Sequence, residues 1–304
     1  MPAIREGEPL ANADVRIERI LCPVDFSDVS AKAYCYAQSI AVHYAAKLIL
    51  QHVVELDLHP SAYYQVELDF FEDYRNTLIS NAKEQLRQFA DLRGGVEPES
   101  VVEESYAPEA ILALAQARAA NLIVMGTHGR RGLDHFMLGS VTERVLRRAA
   151  CPVLAIPGKA AAGNGKASDP VMVRRVLCCV DFSAHSERAL DHAFSVARAY
   201  AADLSVLHVL DNTPESDDVG KDTAAAMEKL QELVAAREPD PAKVDLQVRL
   251  GKAYREILDF SAEEHPDLIV TGVRGRNSLN LAVFGSTTYR VLQLHAGPVL
   301  TVPI

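Results

Sequence analysis

The sequence predicts an α/β protein made of two tandem, doubly wound domains, each on a five-stranded parallel sheet. Two observations carry that expectation. Short Val/Ile/Leu runs alternate with longer amphipathic stretches, and the runs are apolar on both faces, as strands covered by helices on either side must be. The whole series then recurs once along the chain, and a glycine–serine pattern recurs with it at identical internal spacing.

In the first copy the strand-like runs are Ile20–Val24, Leu48–Val54, a weaker Ser100–Glu104, Leu122–Met125 and Val153–Ile156. After the first run, Ala33, Ala37, Ile40, Ala41 and Tyr44 fall at helical spacing, and Ala189, Ala193, Val196, Ala197 and Tyr200 repeat them. An aromatic-rich stretch around residues 59–74 (Tyr63, Tyr64, Phe70, Phe71, Tyr74) is expected to pack along a helix rather than to form a partner surface. The segment from Arg19 to Ser27 returns as Arg175 to Ser183, an offset of 156 (Asp25 to Asp181), and Lys47–Val53 returns as Asp203–Val209. Beyond that point the offset falls to 146 (Gly126 to Gly272), and the closing Cys151–Pro157 and Gly297–Pro303 keep it. The domains are therefore expected at 1–157 and 172–304. The intervening 158–171 forms a linker, because GKAAAGNGKASDP has no apolar periodicity.

A chain of 304 residues accommodates two cores. Its net charge of −10 argues against a general grip on nucleic acid or anionic membrane, which rests on clustered Lys and Arg. The pairs Arg130-Arg131, Arg147-Arg148 and Arg174-Arg175 are expected to be solvated faces or helix C-terminal charges. The opening MPAIREGEPLANADV has no apolar signal-peptide core, and no run approaches the ~18–20 apolar residues that span a bilayer. Five cysteines, an odd number without a CxxC pair, suit reduced thiols in the cytoplasm. Cys178 and Cys179 are adjacent, so in a strand they face opposite ways and form neither a redox nor a metal site.

The candidate site has three parts in each copy. Asp25 and Asp181 follow the first strand, where a carboxylate can meet ribose or adenine hydrogens; capping of the next helix by the Asp or by Ser27 is the competing reading. The fourth strand then leads into Gly126-x-x-Gly129 or Gly272-x-x-Gly275, followed nine residues later by Gly139-Ser140 or Gly285-Ser286 at a helix start. Glycines at such a turn let backbone N–H groups close on an anion, and the helix start adds a favourable field. Against this, Ser140-x-x-Glu143 reads as a capping box that would satisfy the first helix without a ligand and bring negative charge near a phosphate; Tyr289 replaces Glu143 in the second copy, which that argument makes the better anion receptor. His52 and His208 are expected to be structural, and His128 is matched by Arg274, an exchange that chemistry shared by both copies would not tolerate. The chain has no GxSxG, Walker, HExxH or paired-acid motif repeated in both copies, so binding is expected over turnover.

With these motifs the chain resembles the universal stress protein family in its tandem, two-domain form, over about residues 15–157 and 172–304. The resemblance implies an adenine-nucleotide-binding α/β sandwich whose ligand is ATP, with Mg as the accompanying cation and no protein metal site. It implies that Asp25 and Asp181 meet the adenosine and that Val53 and Val209 approach the adenine through backbone groups. Ribose and phosphates would be held by Gly126, Gly129, Gly139, Ser140 and Val141, and by Gly272, Gly275, Gly285, Ser286 and Thr287. Departures are Cys179 against Pro23, Asn121 in place of Asp, and Ser105 against Gly251. The family pairs domains through the last strand, which here would join Val153–Ile156 to Val299–Val302 within one chain, and such units would pair again as a homodimer. The implied role is a cytoplasmic, nucleotide-dependent interaction module in stress response or signalling with unidentified protein partners. The alternatives are a slow ATPase or autophosphorylating enzyme on the same loop, and a structural stress protein without nucleotide.

Overall fold

The apolar runs form strands because both of their faces are taken up by helices. In the first half the order is β1 (Arg19–Pro23), α1 (Asp28–Tyr44), β2 (Lys47–Val54), α2 (Leu68–Asp91), β3 (Glu99–Glu104), α3 (Ala107–Ala117), β4 (Leu122–Gly126), α4 (Ser140–Arg148) and β5 (Val153–Ile156). The second half repeats it as β6 (Arg175–Cys179), α5 (Ala184–Tyr200), β7 (Asp203–Leu210), α6 (Val219–Ala235), β8 (Val244–Leu250), α7 (Ala253–Glu264), β9 (Leu268–Gly272), α8 (Ser286–Leu294) and β10 (Val299–Val302). The computed structural model describes residues 15–55, 68–91, 95–129, 138–160, 171–210, 219–238, 243–273 and 285–303. Tyr63, Tyr64, Arg130, Arg131, Arg274, Gly275 and most of the expected linker lie outside these residues, as do the side chains of Phe70 and Phe71.

All ten strands join one sheet in the order β3-β2-β1-β4-β5-β10-β9-β6-β7-β8. Pairing is parallel within each half and antiparallel only between β5 and β10, where Leu154 lies opposite Leu300 and Ala155 opposite Val299. The expected joint between final strands is thus present within one chain. Alternating strand residues divide the interior into two cores. Ile20, Cys22 and Val24 face α1, α2, α5 and α6, while Leu21, Ile123 and Ala155 face α3, α4, α7 and α8. Cys178 and Cys179 fall in opposite cores, as their adjacency requires. Burial, then the Asp181 carboxylate, pushes the Cys179 thiol up to about 12, so it stays protonated.

The Ala-rich α1 and α5 begin at Ser27 and Ser183, whose side chains accept from Ser30 N and Ser186 N. They end at Ala45 and Ala201, both left-handed at φ 51°. The two helices meet at the seam between the halves. Val171 N donates to Ser39 Oγ at 2.7 Å, and Val15 N donates to Ser195 Oγ at 3.1 Å. These are the same contact twice, because Val171 and Ser195 each follow Val15 and Ser39 by 156 residues. His43 stacks on Tyr200 at 3.9 Å between centroids, with Tyr44 edge-on. One expectation fails in α2: Tyr74 is 49% exposed and does not pack along the helix as the aromatic spacing suggested.

Candidate nucleotide site

The strand order switches between β1 and β4, the place where the loops of a doubly wound sheet leave a crevice for a ligand. Asp25 and the glycine loop meet in it. Asp25 Oδ1 accepts from Ser27 N at 3.1 Å and Ser27 Oγ at 2.6 Å, while Oδ2 lies 2.5 Å from where a Cβ on Gly129 would stand. A side chain at Gly129 would therefore displace the carboxylate. Asp181 repeats the pattern, accepting from Ser183 N at 3.1 Å and Ser183 Oγ at 2.6 Å. Ser27 and Ser183, not the aspartates, cap the helices, so each Asp orients the cap through Oδ1, and Asp25 places its Oδ2 against Gly129.

Between Asp and Ser, Phe26 and Phe182 sit at φ 65° and 63°, a conformation unusual for a bulky side chain. Their rings lie 4.3 Å from those of His52 and His208. The imidazole Nδ1 of each histidine faces a carbonyl, Val24 O at 2.8 Å and Val180 O at 2.7 Å, and so must carry the proton as donor. Both histidines thereby lash β2 or β7 to the Asp turn, a structural role. Val53 and Val209 follow them, half-buried, toward the strand ends. Lys229 lies 4.4 Å over the Phe182 ring, whereas Phe89 meets Phe26 edge-on at 5.6 Å between centroids.

The fourth-strand glycines are tightly held. A Cβ on Gly126 would lie 2.9 Å from Val29 Cγ1, and one on Gly272 2.9 Å from the His185 carbonyl carbon. Gly139 N donates to Thr127 O at 2.8 Å and Gly285 N to Val273 O at 3.1 Å, which brings each helix start back over its loop. Thr142 and Thr288, both buried, lock this arrangement by donating to Gly126 O and Gly272 O at 2.8 and 2.9 Å. They fix the candidate site's geometry beyond the glycine motif, and their signal was present: a Thr two places after the Gly-Ser in both copies.

The capping-box expectation is overturned. The N-cap of α4 is Gly139 and that of α8 is Gly285, so Ser140 and Ser286 are already the first helical residues and neither cap has a side-chain acceptor to offer. Glu143 instead accepts from Arg147 Nη2 at 2.7 Å, one turn on. First-turn N–H groups, including those of Ser140, Val141, Ser286 and Thr287, therefore stand at exposed helix starts beside the loops, an arrangement that favours an anion. Gly275, the remaining site glycine of the second copy, lies outside the described residues. The Asn121 departure sits elsewhere: its Oδ1 accepts from Glu18 N and Arg19 N at the amino end of β1, the task Asp267 performs for Arg174 N and Arg175 N.

Among the described residues no group of three or more His, Cys, Asp or Glu side chains could hold a metal, and no helix is long and apolar enough to cross a membrane. The sequence pattern of the universal stress protein family matches residues 16–157 and again 172–303. The chain belongs to the universal stress protein family. It carries the domain twice, as tandem members do. Universal stress protein Rv2623 of Mycobacterium tuberculosis is 30% identical over 288 residues, covering 87% of this chain and 92% of that one. Universal stress protein MJ0531 of Methanocaldococcus jannaschii is 31% identical over 153 residues, 50% of this chain and 86% of its own. A crystal structure of a universal stress protein from Archaeoglobus fulgidus superposes with a TM-score of 0.67 over 95% of this chain and 99% of that one, at 21% identity, a likeness of fold.

Proposed function

We propose that this universal stress protein binds an adenine nucleotide in each half, ATP with Mg on its phosphates, and acts as a nucleotide-dependent interaction module in the cytoplasm. The observation that carries the reading is the pair of glycine N-caps at α4 and α8. Each exposes first-turn amides beside the end of a fourth strand whose closing glycine, Gly126 or Gly272, admits no side chain. In the first half, bare Gly129 keeps Asp25 Oδ2 at the crevice, where a ribose or adenine hydrogen would find it. The donor set suits phosphate: backbone N–H groups, the Ser140 and Ser286 hydroxyls, and a helix field. A bound nucleotide would supply the charge and shape that a partner reads, and the protein's contribution is to orient it.

The test is direct. Purified chain is denatured and the supernatant read by absorbance and mass spectrometry, then stripped protein is titrated with ATP. Adenine nucleotide approaching two per chain is expected, remaining ATP over hours. Gly129→Ala, which drives Asp25 aside, should weaken one site by tenfold or more, about 1.4 kcal/mol. A stripped chain that takes up no adenine nucleotide would sink the proposal, and steady ADP release would convert it to an enzyme. A homodimer of tandem chains belongs to the same proposal; a single-chain mass in solution would remove it.

A further inference from the structure

On the face formed by α3, α4, α7 and α8, a cleft of about 620 Å³ runs between the two halves. Glu143 and Arg147 line it from α4, Tyr254 from α7, and Ser286, Arg290 and Gln293 from α8. Its lining includes Glu143 and Arg147 together with their counterparts Tyr289 and Gln293, so it lies across the seam. The offset of 146 makes Gln293 the counterpart of Arg147, and Ser286 that of Ser140. The antiparallel seam therefore lets Arg147 of the first half share a cavity with the helix start of the second.

The cleft is charged in a particular way. Glu143 Oε1 accepts from both Nε and Nη2 of Arg147, at 3.1 and 2.7 Å, and so holds the guanidinium at the cleft wall. The Arg290 guanidinium lies 4.5 Å over the ring of Tyr254, whose hydroxyl accepts from Arg255 Nε at 3.1 Å. Two guanidinium groups and one carboxylate leave a net positive wall, beside helix amides with no side-chain cap.

We propose that Arg147, reaching across the seam, completes the phosphate site at the start of α8, so that the second half holds a polyphosphate chain more tightly than the first. The equivalent position of α8 carries neutral Gln293. The inference deepens the nucleotide reading and rests on it. It also replaces the basis on which the second copy would be the better anion receptor: the difference lies in what the facing helix contributes, not in a capping box. Glu143 is the resident anion of the cleft, and a polyphosphate competes with it for the fork of donors that Arg147 presents.

Calorimetric titration of the full chain with ATP, AMP and inorganic tripolyphosphate tests this. The wild-type chain should bind ATP with two unequal affinities. Arg147→Gln, at an exposed position that leaves the fold and melting temperature unchanged, should weaken the tighter ATP site and tripolyphosphate about tenfold and AMP less. Glu143→Gln should strengthen the tight site, and Gln293→Arg should raise the weak one. If the wild-type chain binds ATP while Arg147→Gln and Gln293→Arg leave every ATP and tripolyphosphate affinity unchanged, the inference fails and the nucleotide reading stands. If the wild-type chain binds no adenine nucleotide, the reading itself fails before any variant is made, and the inference falls with it.

Discussion

Phe26 and Phe182 hold a left-handed backbone that costs about 1–3 kcal/mol for such a residue, and the same cost recurs in both halves. The aromatic contact with His52 or His208 offsets it, and the turn sets Asp25 against Gly129 of the glycine loop. A second residue-scale effect concerns pH. Burial holds the His295 imidazole down at about 4, and Ser261 Oγ lies 3.2 Å from its Nδ1. The folded protein thus keeps His295 neutral where the unfolded chain would protonate it. Its contribution is complete above pH ~6.5 and is lost as pH falls toward 4, a loss of about 3 kcal/mol. Denaturant melts of the wild type against His295→Gln, taken from pH 7 to 4, should show the acid limb flattened in the variant; parallel curves would refute it.

At the scale of elements, the ends of α1 and α5 are suboptimal. Ala45 and Ala201 occupy the left-handed C-terminal position that glycine fills without steric cost. Ala45→Gly and Ala201→Gly should each raise stability by about 1 kcal/mol, read as an upward shift in melting temperature; a downward shift would mean that chain entropy outweighs the relief. Most of the elements were legible in the sequence, for a physical reason. Strands buried on both faces read as unbroken apolar runs, and Val153–Ile156 was located to the residue. The edge strand β3 read weakly because it is half-exposed, and it begins one residue earlier than its apolar run. The error fell at α4, where Ser140 has the chemistry of an N-cap but Gly139 has the backbone for it (φ −61°, ψ 142°). Spacing alone did not show that Glu143 pairs forward to Arg147 rather than back to the helix start. Gly126, Gly129 and Asp25 were visible as motif residues. Their convergence was not, because it depends on β1 and β4 lying side by side.

At the scale of the molecule, the halves are joined by backbone pairing, by two cores shared across it, and by the reciprocal serine contacts. Ser39 and Ser195 are both buried, and each holds the entering chain of the other half. Such contacts link residues 132 and 180 apart and leave no trace in local pattern. The double variant Ser39→Ala/Ser195→Ala should lose about 1 kcal/mol per contact. Leu300→Ala, in the middle of the seam, should cost about 2–5 kcal/mol. The wild type is expected to melt in one transition by far-UV and near-UV circular dichroism alike; two resolved transitions would show that the halves fold independently.

The seam has one further consequence. In a homodimer every substitution near the axis appears on both sides at once, so a change that helps one face is imposed on the other. Here the two sides are written separately in one chain. Thr301 donates to Val153 O at 3.2 Å across the joint, and its counterpart Ala155 cannot return the bond. Fusion has freed the facing surfaces to diverge while the linkage holds their ratio at one to one. A sensor with a sensitive and a less sensitive half can arise from such a chain by single substitutions, a course closed to a symmetric pair.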